Sequence, residues 1–358
     1  MLLNVGRMIE RRKVSPGLVP FLAMVLFLTL SAPALISASA SDTAPQPPSV
    51  QTVPEAVEPP AEPQVIPALF VPAGTPEAAA MPVDTGPVEI GTINITSKNP
   101  IAVAPRDMSG LAGAVQQLIA SSGASVGVTV IELGGADPTV WSVNGGGVFT
   151  AASTYKLAAM MLEAQNIATG KSDPNGKVCY QESDWEDGWF ADYEDGMCFT
   201  RNELAIRAGK FSDNTAGHML VRDVGGAGVL NAWAASYGTT SSNFFDGNTT
   251  TSADLATLWR AEAEGNLGGA AAQKWLYPML TNTRTESGIP AGVAGMSVVH
   301  KTGTIDQVDN DAALVTSGPD GAYILVVMTD GLGGPEGWQV IAGISTSVSQ
   351  FEAARFAS

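Results

Sequence analysis

A serine and a lysine three residues apart, Ser153 and Lys156, open an apolar run with no breaker before Gly170. In a helix such residues share a face, with roughly 5–6 Å between Cβ atoms. The hydroxyl would then meet the amine at the helix N-terminus, where the backbone dipole favours developing negative charge. A lysine kept neutral by burial and a second cation could take the serine's proton, pairing a nucleophile with a base. Alone the pair is weak, because this spacing recurs by chance. Two further polar clusters follow it in order, Ser212-Asp213-Asn214 and Lys301-Thr302-Gly303. Taken singly, the first reads as a helix-capping turn and the second as a strand followed by a bend.

The three together match the motif set of class A β-lactamases and penicillin-binding proteins. The chain resembles the class A β-lactamase family at each place. Phe149-Thr150-Ala151-Ala152-Ser153-Thr154-Tyr155-Lys156 is similar to its nucleophile segment. Phe211-Ser212-Asp213-Asn214-Thr215-Ala216 is similar to its second motif, and His300-Lys301-Thr302-Gly303-Thr304 to its third. The likeness runs from about Arg106 to the C-terminus. It implies an α/β (α+β) fold, an antiparallel sheet flanked by helices and facing a mostly helical subdomain, with the site in the seam. It also implies roles. Ser153 would be the nucleophile, and its amide with that of Thr304 the oxyanion hole. Lys156 would be base or proton relay, and Ser212 would pass the proton to the leaving nitrogen. Lys301 and Thr302, with Gly303 beside them, would hold the substrate carboxylate, and Asn214 the substrate's amide side chain. The implied substrates are β-lactams or D-alanyl-D-alanine-type peptidoglycan stem peptides, met by a monomer without cofactor or metal.

One departure bears on turnover. The β-lactamases carry a glutamate, on a loop before a threonine-rich turn, that activates the water freeing the acyl-enzyme. Here that turn is Asn248-Thr249-Thr250-Thr251, and the stretch from Asn231 to Ser252 holds no glutamate. The loop is also shorter than the family's by about a dozen residues, and Asp246 is its only acid. This resembles class A-like penicillin-binding proteins: acylation is expected and deacylation should be slow. A reading from another class stays open, a tethered cell-wall-binding module that keeps the motif residues without turning over.

Composition bounds the rest. The chain has 358 residues and a formal net charge of −17, which argues against nucleic acid and anionic membrane surfaces as partners. Two histidines and two cysteines without zinc-type spacing leave no metal site in view. Residues 1–40 pair a basic start (Arg7, Arg11, Arg12, Lys13) with an apolar run from Leu18 to Ile36 and a small-residue stretch, Ala38-Ser39-Ala40. That is a signal peptide, or a retained anchor, since the run approaches the ~20 residues that span a bilayer. Either way the remainder lies outside the cytoplasm, secreted or tethered to the membrane's outer face. Residues 41–100, rich in Pro, Ala and Glu, read as a semi-extended linker, and 101–358 as the catalytic domain. In an oxidising compartment Cys179 and Cys198 should pair. Their loop mixes Trp185, Trp189, Phe190 and Tyr193 with seven acids that miss the calcium-loop spacing. It reads either as an aromatic wall of the cleft or as a solvated acidic loop over packed rings.

Elements follow from periodicity and caps. Helices are predicted from Met108 to Ser121, from Ser153 onward, and from a Thr200-Arg201-Asn202-Glu203 capping box through Arg207. Others should end near Val224, Tyr237 and Ala263, the last capped by Ser252, with a final helix from Trp338 to Arg355. Strands are predicted at residues 126–131, 140–143, 296–300, 312–316 and 323–328. Gly123-Ala124-Ser125-Val126-Gly127 fits the Gly-x-Ser-x-Gly pattern, but runs helix to strand where a nucleophile elbow needs strand to helix.

Overall fold

A computed structural model describes residues 107–134 and 138–357. The leader at 1–40 and the linker at 41–100 lie outside them. No helix among the described residues is long and apolar enough to cross a membrane.

In chain order the strands are β1 (Ser125–Glu132), β2 (Val140–Val143), β3 (Phe149–Thr150), β4 (Lys177–Cys179), β5 (Cys198–Thr200), β6 (Thr249–Thr250), β7 (Val298–Ile305), β8 (Val308–Val315) and β9 (Tyr323–Asp330). The helices are α1 (Ser109–Ser122), α2 (Tyr155–Ala168), α3 (Arg201–Lys210), α4 (Asn214–Asp223), α5 (Ala227–Ser236), α6 (Ser252–Ala263), α7 (Gly269–Leu276), α8 (Ile289–Gly292) and α9 (Pro335–Ala357). Five strands form one antiparallel sheet in the order β2-β1-β9-β8-β7, with β7 at its edge. Two small ribbons, β3 with β6 and β4 with β5, lie outside it.

Both faces of the sheet are covered, which explains why the central strand β9 reads as an unbroken apolar run from Tyr323 to Met328. Along β9, Tyr323, Leu325 and Val327 join a core with Leu111, Val115, Ile341, Ile344 and Val348 of α1 and α9. The alternate residues Ile324, Val326 and Met328 join a second core with α2, α4 and α6. The period of two along a strand sends neighbours to opposite layers. At the centre of the second core lies α2, buried without interruption from Tyr155 to Ala164. Each large apolar side chain so buried contributes roughly 1.5–3 kcal/mol. That is enough to hold one buried lysine on the same helix.

The antiparallel sheet flanked by helices is the expected fold. Local details differ. The third motif does not bend away after its strand: β7 runs on through Ile305, with Thr302 opposite Asp311 and Gly303 opposite Asn310. Pairing with β8 overrides the local tendency of the glycine to break the strand. The cap of α6 is Thr251, whose hydroxyl accepts from the Asp254 amide at 3.0 Å, one residue before the expected Ser252. Ser153 sits in a 3-10 turn, Ala152–Thr154, and α2 starts just after it.

Candidate active site

The position of Ser153, the expected nucleophile, is fixed from three sides. Ala152 takes a left-handed φ of 48°, which costs a residue with a Cβ on the order of 1–3 kcal/mol. Asn310 of β8 offsets part of this by donating to the carbonyls of Thr150 (2.8 Å) and Ala151 (3.2 Å). From above, β7 passes so close that a Cβ on Gly303 would lie 2.7 Å from the Ala151 oxygen and 3.0 Å from the Ser153 nitrogen. Only glycine fits there. Because β7 is an edge strand, one row of its backbone groups has no sheet partner and is available to a ligand.

Lys156 is fully buried, and its Nζ has three oxygen neighbours: Ser153 Oγ at 2.9 Å, Ser212 O at 2.7 Å and Asn214 Oδ1 at 2.7 Å. Burial lowers its pKa to about 7, although Asp213 and Glu186 pull the other way. A neutral amine has two N–H bonds and one lone pair. The carbonyls of Ser212 and Asn214 take the two N–H bonds, which leaves the lone pair for the Ser153 hydroxyl proton. Gly217 of α4 makes room, since a Cβ there would sit 2.6 Å from Lys156 Cε.

Ser212 links the two lysines. Its carbonyl accepts from Lys156, and its hydroxyl lies 2.8 Å from Lys301 Nζ. It also has a left-handed φ, 59°, which turns carbonyl and hydroxyl toward different partners. Lys301 is buried, and its second partner is the Thr302 carbonyl at 2.7 Å. Burial and then the nearby Lys156 push its pKa well down. The sequence suggested that burial and Lys301 together keep Lys156 neutral, and burial is the larger cause in the folded protein.

Asn214 spans the site: its Oδ1 faces Lys156 and its Nδ2 donates to Asp187 O at 2.8 Å. Thr302 lines the cleft, and Thr304, also on the lining, donates its hydroxyl to Asp309 at 2.9 Å. Ser153, Ser212, Asn214, Thr302 and Thr304 thus share one cleft of about 390 Å³, with both lysines directly behind it.

Cys179 and Cys198 form a disulfide across the β4–β5 ribbon. The loop they close is both things the sequence allowed. Tyr193 and Phe190 pack beneath it, against Phe199 and Phe211 respectively. Trp189 turns to the cleft, its ring 3.8 Å from the Arg284 guanidinium. What pins the loop is Asp213, which the sequence places in a helix-capping turn. Its carboxylate caps α4 through the Ala216 amide and accepts from the Trp189 and Phe190 amides and the Tyr193 hydroxyl, all within 3.1 Å.

Asp246 is exposed and is not part of the cleft lining. Its neighbour Phe245 turns inward instead, packing edge-on against Tyr155 (5.5 Å) and His218 (4.9 Å). His218 in turn pairs with Glu186 at 2.7 Å. Arg284, Trp338 and Lys210 also line the cleft and were not foreseen; they come from segments with no motif, brought in only by folding. No group of His, Cys, Asp and Glu among the described residues could hold a metal ion.

The sequence model of the β-lactamase enzyme family matches residues 110–351. Among solved structures, PBP-A is 25% identical with a TM-score of 0.64, covering 69% of this chain and 97% of its own. A β-lactamase from Sphaerobacter thermophilus is 26% identical with a TM-score of 0.62, covering 70% and 99%. A variant of PBP-A, solved as an acyl-enzyme with penicillin G, shares the fold at 24% identity and a TM-score of 0.63, covering 70% and 98%. No curated protein matches the chain.

Proposed function

The chain belongs to the β-lactamase enzyme family, class A-like, and from that premise we propose a serine acyl-transfer hydrolase working through an acyl-enzyme on Ser153. The observation that carries this is the setting of Lys156, whose two N–H bonds are engaged by fixed oxygens while Ser153 Oγ lies 2.9 Å away. Lys156 takes the hydroxyl proton as Ser153 attacks a carbonyl carbon. The amides of Ser153 and Thr304 receive the oxyanion, an interaction whose loss costs roughly 3–4 kcal/mol. Ser212 then relays that proton from Lys156 to the departing nitrogen, so that Lys156 is neutral again in the acyl-enzyme. Lys301 and Thr302 hold a carboxylate, which fits β-lactams and D-alanyl-D-alanine-type stem peptides alike. The bridged Cys179–Cys198 pair supports an extracytoplasmic site of action.

Hydrolysis of the ester needs a base on the attacking water. The stretch from Asn231 to Ser252 supplies no glutamate, and its one acid, Asp246, stands outside the cleft. General-base help is typically worth ~10²–10⁴-fold, and deacylation is slowed by that order. Incubation with benzylpenicillin followed by intact-mass measurement after seconds to minutes should show one penicilloyl adduct, absent from Ser153→Ala. Turnover with no adduct, persisting in Asp246→Asn, would refute slow deacylation. Neither adduct nor turnover would refute the enzyme reading and favour the wall-binding module.

A further inference from the structure

Next to Lys301, on the opposite side of β7, lies a buried group that the acyl-transfer chemistry does not use. His300 is fully buried, with Nδ1 2.9 Å from Asp311 Oδ1 of β8 and Nε2 3.1 Å from Glu286 Oε1. The charged groups facing it are these two carboxylates, with Lys301 its neighbour along the strand. Burial alone would lower the imidazole, yet Asp311 and Glu286 outweigh it and lift it to about 9. At neutral pH both ring nitrogens therefore carry protons, and each donates to a different carboxylate.

The two carboxylates belong to different parts of the chain, and both secure the same stretch. Asp311 also accepts from the Ile289 amide at 2.9 Å, at the end of the 281–289 segment. Glu286 lies within that segment and accepts from the Thr283 amide as well. Thr283, Arg284 and Thr285, just before these anchors in the chain, line the cleft. The segment is also fastened near this point by the Arg284 amide on the Lys210 carbonyl at 2.9 Å, by the Thr283 hydroxyl 3.2 Å from His300 Nε2, and by the Arg284 guanidinium over the Trp189 ring.

We propose that His300 is a positioning residue that clamps the 283–286 wall to β7, so that Arg284 faces the cleft on the same frame as Lys301. Its functional half rests on the acyl-transfer reading above; its structural half does not. With Arg284 and Lys301 held on one frame, an anionic substrate is bound in register before Ser153 attacks. Loosening the clamp weakens that first binding and leaves the chemistry of Ser153 and Lys156 intact.

The test compares the parent with His300→Gln and with Glu286→Gln, the latter removing only the more exposed partner. Hydrogen–deuterium exchange should quicken about tenfold in the 281–289 segment of both variants, with the rest of the sheet unchanged. Rapid-quench acylation by benzylpenicillin should show the apparent dissociation constant raised about tenfold, while the limiting acylation rate stays within about threefold. In an Arg284→Ala background the His300→Gln effect on binding should disappear. Unchanged exchange in both variants overturns the clamp, as does a loss confined to the limiting rate. A parent that is never acylated overturns the acyl-transfer reading instead, and the exchange comparison still decides whether the clamp exists.

Discussion

Lys156 shows how surroundings suit one side chain to the role of base proposed for it. Burial removes the water that would stabilise the ammonium, and two carbonyl oxygens orient the amine so that its lone pair faces Ser153. A pKa near the working pH suits a general base, since the neutral form is present and still accepts a proton readily. The acylation rate should therefore rise with pH through a midpoint at about 7. Lys156→Ala should lose the limb and slow acylation by ~10²–10⁴-fold. Stopped-flow acylation across the pH range measures both. A flat profile through neutrality would exclude Lys156 as the base. The spacing of Ser153 and Lys156 made the pair visible in the sequence. The oxygens that aim the amine were not visible, because the Ser212 carbonyl depends on a left-handed backbone that no residue type announces.

At the level of elements, the site depends on how closely β7 approaches the turn before α2. Gly303 sets that distance, and its neighbours at 2.7–3.0 Å are all backbone atoms that cannot rotate away. In Gly303→Ala the turn and the strand must separate by several tenths of an ångström or more, which moves Ser153 away from the Thr304 amide. A misplacement approaching 1 Å costs on the order of 10²-fold in rate. The expected result is acylation slowed by roughly that factor, with Tm lowered only modestly. Acylation at the parent rate would mean that the two elements are not coupled in this way. The sequence marked this glycine as part of a motif, yet suggested a bend. That it continues a paired strand follows from β8 lying alongside, a long-range fact.

Across the whole molecule, the helical half carries a cost unconnected with the cleft. Glu262 of α6 is fully buried, and neither carboxyl oxygen has a hydrogen-bond partner among the described residues. Burial pushes its pKa up from 4.5 to about 8. The group is thus protonated in the fold and ionised in the unfolded chain between those values. Unfolding releases a proton there, so stability falls as pH rises from 4.5 to about 8 and levels off beyond. Glu262→Gln removes this dependence. Its Tm should gain on the parent's as pH rises through that window, the linked difference reaching on the order of 3 kcal/mol at neutrality. Parallel Tm curves for the two proteins would show that Glu262 is paired or hydrated in solution.

The sequence by itself determined the three motifs and their order along the chain. Ser153, Lys156, Ser212, Asn214, Lys301 and Thr302 stand in three short motifs, and short motifs survive as local patterns whatever the chain does between them. It also determined most elements, since caps such as Thr200 with Glu203 and runs such as 323–328 act through neighbours a few residues away. The tertiary structure alone decided what meets what. Asp213 accepts from residues more than twenty positions earlier, Trp189 meets Arg284, and His300 joins β8 to the 283–286 wall. Such contacts connect segments whose separation in the chain carries no period and no composition. They exist only once burial of the two cores has fixed the sheet against its helices.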